Sequence, residues 1–147
     1  MTTDASSVRP ALDRSGSRID HVNIAVPDLD VAVAFYEPVL ASIGITKMLE
    51  IPAVPQAEMP AMTGFGLAEV KPYFWLIDAG TVGTNMHLAF TVDTRDDVET
   101  FHRACLEHGA TELHAPAIWE QYHDDYYGGF VLDPYGINLE AVCHHPA

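Results

Sequence analysis

Three residues of this chain have the types and surroundings of metal ligands: His21, His87 and Glu140. Each lies in a stretch where apolar and polar side chains alternate, and each occupies the less apolar side of that stretch. Alternation places successive side chains on opposite faces of a strand, so all three residues project away from the apolar rows. Two imidazoles and one carboxylate form a donor set that holds a divalent metal and leaves coordination positions open.

Each of these residues alone also has an ordinary structural explanation. A histidine on a half-buried strand is more often hydrogen-bonded within the protein than bound to a metal. Glu140 could reach solvent at a sheet edge, because a carboxylate in an apolar strand is costly to bury without a partner. The metal hypothesis therefore depends on the three residues occurring together. His144 and His145, near the end of the sequence, are expected to form only a solvated tail.

An internal repeat connects the two histidines. A shift of 66 positions takes His21 to His87 and Phe35 to Phe101 without a gap through strand and helix. Internal self-similarity marks a repeated structural unit, so we interpret the chain as a duplicated β-α-β-β-β unit. The first module is assigned to residues 17–80 and the second to residues 84–143.

The two modules are expected to form a single α+β domain at 18–145, after a polar leader at 1–17 that is predicted to be mobile. Helices are predicted at 29–42, with Asp28 as N-cap, and from a capping box at 94–97 to a stop at Gly109. Strands are predicted at 19–26, 45–51, 62–68, 73–77, 86–92, 111–115, 126–132 and 137–143. If the helices cover the apolar face of each sheet, the opposite face is free to line a cavity.

The composition narrows the class of partner. The chain has 147 residues, with 7 basic and 21 acidic side chains and a formal charge of −14, which argues against nucleic acid and anionic membranes as partners. No apolar run approaches the roughly 20 residues that span a bilayer, and the N-terminus lacks a signal-peptide profile. We therefore expect a cytoplasmic protein whose two cysteines, Cys105 and Cys143, are reduced and buried.

Three segments together resemble the vicinal oxygen chelate superfamily: His-Val-Asn-Ile-Ala-Val at 21–26, His-Leu-Ala-Phe at 87–90 and Asp-Pro-Tyr-Gly-Ile-Asn-Leu-Glu at 133–140. The resemblance implies paired β-α-β-β-β modules that curl a mixed sheet into a half-barrel around a metal site, and it usually implies a homodimer. The superfamily includes glyoxalase I, extradiol dioxygenases, thiol transferases and metal-free bleomycin-binding proteins. Function within so diverse a group has to be decided at the site.

The resemblance favours the extradiol branch. Glyoxalase I has a ligand Glu on the fourth strand of the first module, where this chain has Phe74 or Trp75, depending on alignment. The extradiol signature places a catalytic His shortly before an aliphatic-Tyr pair, and His123 fits it, but the tyrosine is replaced by Phe130. Tyr127, or alternatively Tyr126, is expected to compensate as the catalytic tyrosine.

Five aromatic residues are expected to line a pocket for a small planar substrate, although packing in the core would explain their presence equally well. This set consists of Phe74, Trp75, Trp119, Tyr122 and Tyr126. Fe²⁺ is the favoured metal because it supports dioxygen chemistry; Mn²⁺, Zn²⁺ or Ni²⁺ would favour isomerisation or addition instead.

The sequence therefore predicts a metal-dependent enzyme that chelates a small oxygen-bearing substrate, with extradiol-type dioxygenation as the best single chemistry. A glyoxalase-like lyase or isomerase is one alternative, and a non-catalytic protein that binds a drug or metabolite is another. The sequence leaves open whether the three ligands belong to one chain or to two chains of a dimer.

Overall fold

A computed structural model describes residues 19–68 and 71–147. The leader predicted at 1–17 lies outside these residues. In chain order the elements are β1 (Val22–Val26), α1 (Leu29–Ala41), β2 (Thr46–Ile51), β3 (Met62–Gly66), β4 (Phe74–Asp78), β5 (His87–Thr91), α2 (Arg95–Glu107), β6 (Thr111–Ile118), β7 (Tyr127–Leu132) and β8 (Asn138–Cys143). A single 3-10 turn, Pro55–Ala57, interrupts the connection between β2 and β3.

The predicted α+β fold is confirmed. The strands form two four-stranded mixed sheets, ordered β1-β4-β3-β2 and β5-β8-β7-β6, and neither sheet closes into a barrel. In the first sheet β1 runs parallel to β4, and in the second sheet β5 runs parallel to β8. The other neighbouring strands are antiparallel. The main departure from the predicted strands is β6, which continues to Ile118 through two register shifts against β7.

The two helices repeat each other with the 66-residue shift seen in the sequence. Both have 13 residues, and their N-caps are Asp28 and Thr94. Each cap side chain accepts a hydrogen bond from a backbone N–H of the first turn, and Thr94 forms the predicted capping box with Asp97. Neither of these helices is long and apolar enough to cross a membrane, as judged over the described residues.

The core lies between the helices and the apolar faces of the sheets. The rings of Phe74 in β4 and Phe90 in β5 pack edge to face with centroids 5.8 Å apart, which joins the cores of the two modules. Cys105 and Cys143 are both free and buried, as predicted. Burial raises the pKa of the Cys105 thiol to about 12.

A buried hydrogen bond also joins the modules. The hydroxyl of Tyr36 in α1 donates to Asp133, which precedes β8, at 2.5 Å. Asp133 accepts two further hydrogen bonds at 2.8 Å, from the backbone N–H groups of Tyr135 and Ile137. Its carboxylate therefore shapes the turn that leads into β8 and Glu140, while the first module holds it in place.

Candidate metal centre

His87 and Glu140 meet on the face of the second sheet that is turned away from α2. β5 and β8 pair in parallel, with His87 opposite Asn138 and Ala89 opposite Glu140. The side chain of Glu140 therefore lies diagonally across from His87, and His87 Nε2 is 3.1 Å from Glu140 Oε2. The imidazole is 44% exposed, whereas the Glu140 side chain is only 2% exposed.

Glu140 is held at its other oxygen by Tyr126, whose hydroxyl donates a short hydrogen bond to Oε1. Burial raises the pKa of the Glu140 carboxyl, while the hydrogen bond from Tyr126 and the neighbouring His87 act in the opposite direction. Gly128 leaves room for this arrangement, because a Cβ atom there would lie 2.8 Å from Oε1. The buried carboxylate thus has one oxygen fixed and the other turned towards His87.

The hydrogen bonds of His87 determine which of its nitrogens carries the proton. Nδ1 lies 3.2 Å from the backbone carbonyl oxygen of Asn138, and a carbonyl can only accept. In the neutral imidazole Nδ1 is therefore the donor, and Nε2 directs a lone pair at Glu140. Nε2 and Oε2 then direct lone pairs at each other across 3.1 Å, an arrangement that is stabilised by a cation between them, either a proton or a metal ion.

These residues fit one side of a divalent metal site. Two ligand atoms about 2.1 Å from one ion and at right angles lie roughly 3 Å apart, close to the separation of Nε2 and Oε2. The backbone carbonyl behind His87 and the tyrosine behind Glu140 are the kinds of partner that orient metal ligands. Asn138 shares the face of Glu140, and its Oδ1 is buried without a hydrogen-bond partner among the described residues.

His21 lies apart from this pair. Its Nδ1 is 2.7 Å from Asp20 Oδ2, and Asp20 also forms an ion pair with Lys71 at 2.5 Å. Asp20 contacts only Nδ1, so Nε2 is the nitrogen that His21 could offer to a metal, and the His21 side chain is 51% exposed. Within residues 19–68 and 71–147 of a single chain, no three His, Cys, Asp or Glu side chains are grouped closely enough to hold a metal.

A cleft of about 340 Å³ runs between the two modules beside His21. It is bordered by Tyr73 and Phe74 of the first module and by residues 88–91 of β5, including Ala89 and Thr91. Neither His87 nor Glu140 is among the described residues that line it. One chain therefore brings together two of the three predicted ligands and leaves the third at this cleft.

The two candidate tyrosines point to opposite faces of the second sheet. Tyr127, predicted to be catalytic, donates from its hydroxyl to Glu99 in α2 at 2.6 Å and lies under the guanidinium of Arg95. Burial and the Glu99 carboxylate raise its pKa to about 12. Strand alternation turns Tyr127 to the helix side, and Tyr126 is the tyrosine that contacts Glu140.

His123 is separated from Glu140 by one residue, Tyr126. Its ring lies edge-on to Tyr126 at 5.5 Å, and its Nε2 is 2.9 Å from Nδ1 of His144. His144 also contacts the Tyr126 ring, at 5.3 Å. The expectation of a solvated tail is therefore wrong for His144, which the sequence could not place because its partner lies 21 residues earlier.

The predicted pocket aromatics divide into two groups. Trp119, Tyr122 and Tyr126 form a wall beside Glu140: the rings of Trp119 and Tyr122 are 6.4 Å apart, and those of Tyr122 and Tyr126 are 4.8 Å apart. Phe130, which replaces the signature tyrosine, packs against Trp119 and stacks on His87 with centroids 6.0 Å apart. No pattern in the sequence indicated that Phe130 stacks on His87.

Phe74 and Trp75 lie on opposite faces of β4. Phe74 is only 3% exposed and packs between Tyr36 and Phe90, so it belongs mainly to the core and reaches only the border of the intermodule cleft. Trp75 is half-buried on the other face, opposite Asn23 of β1. Asn23 and Ala89 are related by the 66-residue shift, which makes Trp75 the structural equivalent of Glu140. The alignment left open by the sequence is thereby decided in favour of Trp75.

The family model of the Glyoxalase/Bleomycin resistance protein/Dioxygenase superfamily matches residues 18–141. No curated protein sequence matches the chain. A crystal structure of a glyoxalase/bleomycin resistance protein from Albidiferax ferrireducens T118 matches with a TM-score of 0.69 and 22% identity, covering 88% of this chain and 100% of that one. Lactoylglutathione lyase from Agrobacterium tumefaciens matches with a TM-score of 0.60 and 21% identity, covering 87% and 94%. At these identities the similarity to solved structures establishes the fold.

Proposed function

This chain belongs to the Glyoxalase/Bleomycin resistance protein/Dioxygenase superfamily, and on that premise we propose that it is a divalent-metal-dependent enzyme that chelates a small, oxygen-bearing aromatic substrate. The observation that carries the proposal is the pair formed by His87 Nε2 and Glu140 Oε2, 3.1 Å apart. Each of these ligands is oriented from behind, His87 by the Asn138 carbonyl and Glu140 by Tyr126. Such support is typical of metal ligands and is not needed by a surface ion pair.

The third ligand in this proposal is His21 of a second copy of the chain, which makes the functional unit a homodimer. Two observations support this assembly. Among the residues that the structure describes, one chain groups only His87 and Glu140, and His21 lies exposed just before an edge strand, with Asp20 fixing Nδ1. A histidine held by a carboxylate in this way is oriented to offer its other nitrogen to a metal.

A bound divalent ion would supply Lewis-acid polarisation of two vicinal substrate oxygens and, if it is ferrous iron, one-electron chemistry with dioxygen. The chain itself supplies orientation and proton handling. Tyr126 holds Glu140 in one position, and the rings of Trp119 and Tyr122 stack beside Tyr126. His123 lies beyond Tyr126 and pairs with His144, which also contacts the Tyr126 ring, and an imidazole can take up and return a proton near neutral pH.

Extradiol-type dioxygenation is the chemistry that this site supports best. Its ligand set contains a single carboxylate, because Trp75 occupies the position equivalent to Glu140 in the first module. The same feature counts against a glyoxalase mechanism that needs a second carboxylate. The aromatic wall beside Glu140 suits a planar substrate.

The test combines metal analysis with oxygen uptake. Freshly purified protein is expected to contain iron, and uptake on catechol is expected to be lost in His87→Ala and retained in His108→Ala, an exposed histidine at the end of α2. A full complement of another metal without oxygen uptake would exclude the dioxygenase and leave a metal-dependent lyase or isomerase. Absence of metal binding altogether would contradict the proposal.

A non-catalytic binding protein is the second candidate, favoured by the wall of Trp119, Tyr122 and Tyr126, which could bind an aromatic molecule without chemistry. For this candidate, tight binding of an aromatic ligand would be unaffected by a chelator and by His87→Ala. Loss of binding under either condition would exclude it.

A further inference from the structure

The face of the first sheet turned away from α1, called here its concave face, has Asn23 of β1 opposite Trp75 of β4 and His21 just before β1. It carries an aromatic ring in place of a carboxylate. Trp75 pairs in register with Gly64 of β3. A Cβ atom on Gly64 would lie 2.8 Å from Cη2 and Cζ3 of the indole and 2.9 Å from Cε3. These similar distances show that the six-membered ring lies flat over the glycine backbone.

This contact fixes one face of the indole. A side chain at position 64 would push the ring off the sheet, so Gly64 is required for its position. Trp75 remains half-buried rather than enclosed, which leaves indole surface on the concave side accessible. A rigid aromatic ring backed by the sheet binds a planar ligand with little loss of side-chain entropy.

In the second sheet the aromatic ring is on the other strand of the equivalent pair. Glu140 pairs with Phe130, and Phe130 is related to Gly64 by the 66-residue shift. The bulky ring is therefore on β7 in the second sheet and on β4 in the first. A site that combines the two concave faces has its charged ligand on one side and its indole on the other.

Building on the proposed function, we infer that Trp75 determines the substrate class: its indole is the stacking surface for a planar aromatic diol or diolate. A divalent ion with one carboxylate ligand retains a positive charge, which favours an anionic chelating ligand. The indole adds selection for planarity, because stacked aromatic pairs are worth about 0.5–1.5 kcal/mol beyond the area that they bury.

The experiment compares two vicinal diols, one planar and one not. Binding of 4-nitrocatechol and of cis-1,2-cyclohexanediol is measured without oxygen, and metal content is determined in the same samples. Trp75→Leu is expected to weaken 4-nitrocatechol binding roughly three- to tenfold, with cyclohexanediol binding and metal content unchanged. Trp75→Phe retains a ring and is expected to recover most of the affinity. Gly64→Ala displaces the indole and is expected to behave like Trp75→Leu.

A second readout does not depend on the metal. The chain has two tryptophans, so Trp119→Phe leaves Trp75 as the only indole. We expect 4-nitrocatechol to quench its fluorescence at the concentrations at which it binds. Such quenching in a protein that binds no metal would contradict the proposed enzyme and still support the role of Trp75.

Two results would overturn the inference. One is equal affinity of the parent protein and Trp75→Leu for 4-nitrocatechol. The other is an equal loss of affinity for both diols, since this would show a general structural effect and no selection for planarity. Thermal unfolding of each variant identifies a folding defect, and Trp75→Phe then provides the decisive measurement.

Discussion

The face of the first sheet that carries Trp75 and the face of the second sheet that carries Glu140 share one backbone arrangement and differ in chemistry. Helices of equal length begin 66 residues apart, and the first and last strands of each sheet pair in parallel in equivalent registers. At the same register position the second sheet has Glu140 and the first has Trp75. The duplicated fold therefore fixes where a side chain projects, while residue type decides what that position does.

The difference extends to the surroundings of each histidine. His87 is stacked on Phe130 and fixed by the Asn138 carbonyl, in a site whose carboxylate is almost fully buried. His21 is held only by Asp20 at the protein surface. The second module thus contains most of the proposed metal site, and the first would contribute one histidine and an aromatic ring.

The largest expected effect is on metal affinity and distinguishes the two equivalent positions. Glu140→Gln keeps the shape of the side chain but removes its charge, and we expect metal affinity to fall on the order of 100-fold or more, beyond the effect of losing an orienting partner. Trp75→Leu is the matched change in the first module and is expected to leave metal affinity within about threefold. Competition with a chromophoric chelator measures both.

The opposite result would break the comparison. If Glu140→Gln bound metal as tightly as the parent protein, the second module could not be the metal-binding half. A large effect of Trp75→Leu would mean that the indole also supports the metal.

The next largest effect separates the two neighbouring tyrosines. Tyr126→Phe removes the hydrogen bond to Glu140 Oε1 and is expected to weaken metal binding about 10- to 100-fold. Tyr127→Phe removes only the bond to Glu99 on the helix side and is expected to leave metal affinity unchanged. The same chelator competition measures the two variants, and equal behaviour of the pair would contradict the assignment of Tyr126.

The sequence could predict the frame better than the site. Alternation and capping residues are local signals, and they located both helices, all eight strands and the parts of the site that depend on strand parity. Alternation puts Tyr126 and Tyr127 on opposite faces but could not show which face is turned to Glu140, because both rows of β7 consist of glycine and apolar or aromatic residues. His144 and Phe130 were missed because their partners, His123 and His87, are brought close only by the folded chain.

A third prediction concerns stability and compares equivalent helix positions. Tyr36 in α1 and His102 in α2 are 66 residues apart, and both are buried with a carboxylate partner. Asp133, the partner of Tyr36, is only 5% exposed, whereas the side chain of Glu112, the partner of His102, is 47% exposed. Water can replace the lost bond at Glu112 but not at Asp133.

We therefore expect Tyr36→Phe to lower the free energy of unfolding by about 1–3 kcal/mol. His102→Phe is expected to cost less than about 1 kcal/mol through its lost bond, because the half-exposed Glu112 carboxylate is rehydrated when the bond is removed. Urea denaturation of both variants is the measurement. If His102→Phe lost more stability than Tyr36→Phe, the hydrogen bond between His102 and Glu112 would contribute more to stability than the bond between Tyr36 and Asp133.

The last prediction concerns the core, where the expected effect is small at neutral pH and grows only at high pH. Cys105 in α2 is equivalent to Val39 in α1, and both are fully buried. Burial raises the pKa of the Cys105 thiol from 9.0 to about 12, so the folded state keeps the proton that the unfolded state loses first. The stability due to this group is complete below pH 9 and is lost as the pH rises towards 12.

Cys105→Val reproduces the first module at this position and should change stability by less than about 1.5 kcal/mol at pH 7. Between pH 8 and pH 11 the variant should lose less stability than the parent protein, by up to about 3 kcal/mol, as measured by urea denaturation. Equal losses of stability in the two proteins would show that Cys105 does not contribute to destabilisation at high pH. The destabilisation would then come from other groups such as Tyr36, whose pKa is also raised, by burial and by Asp133.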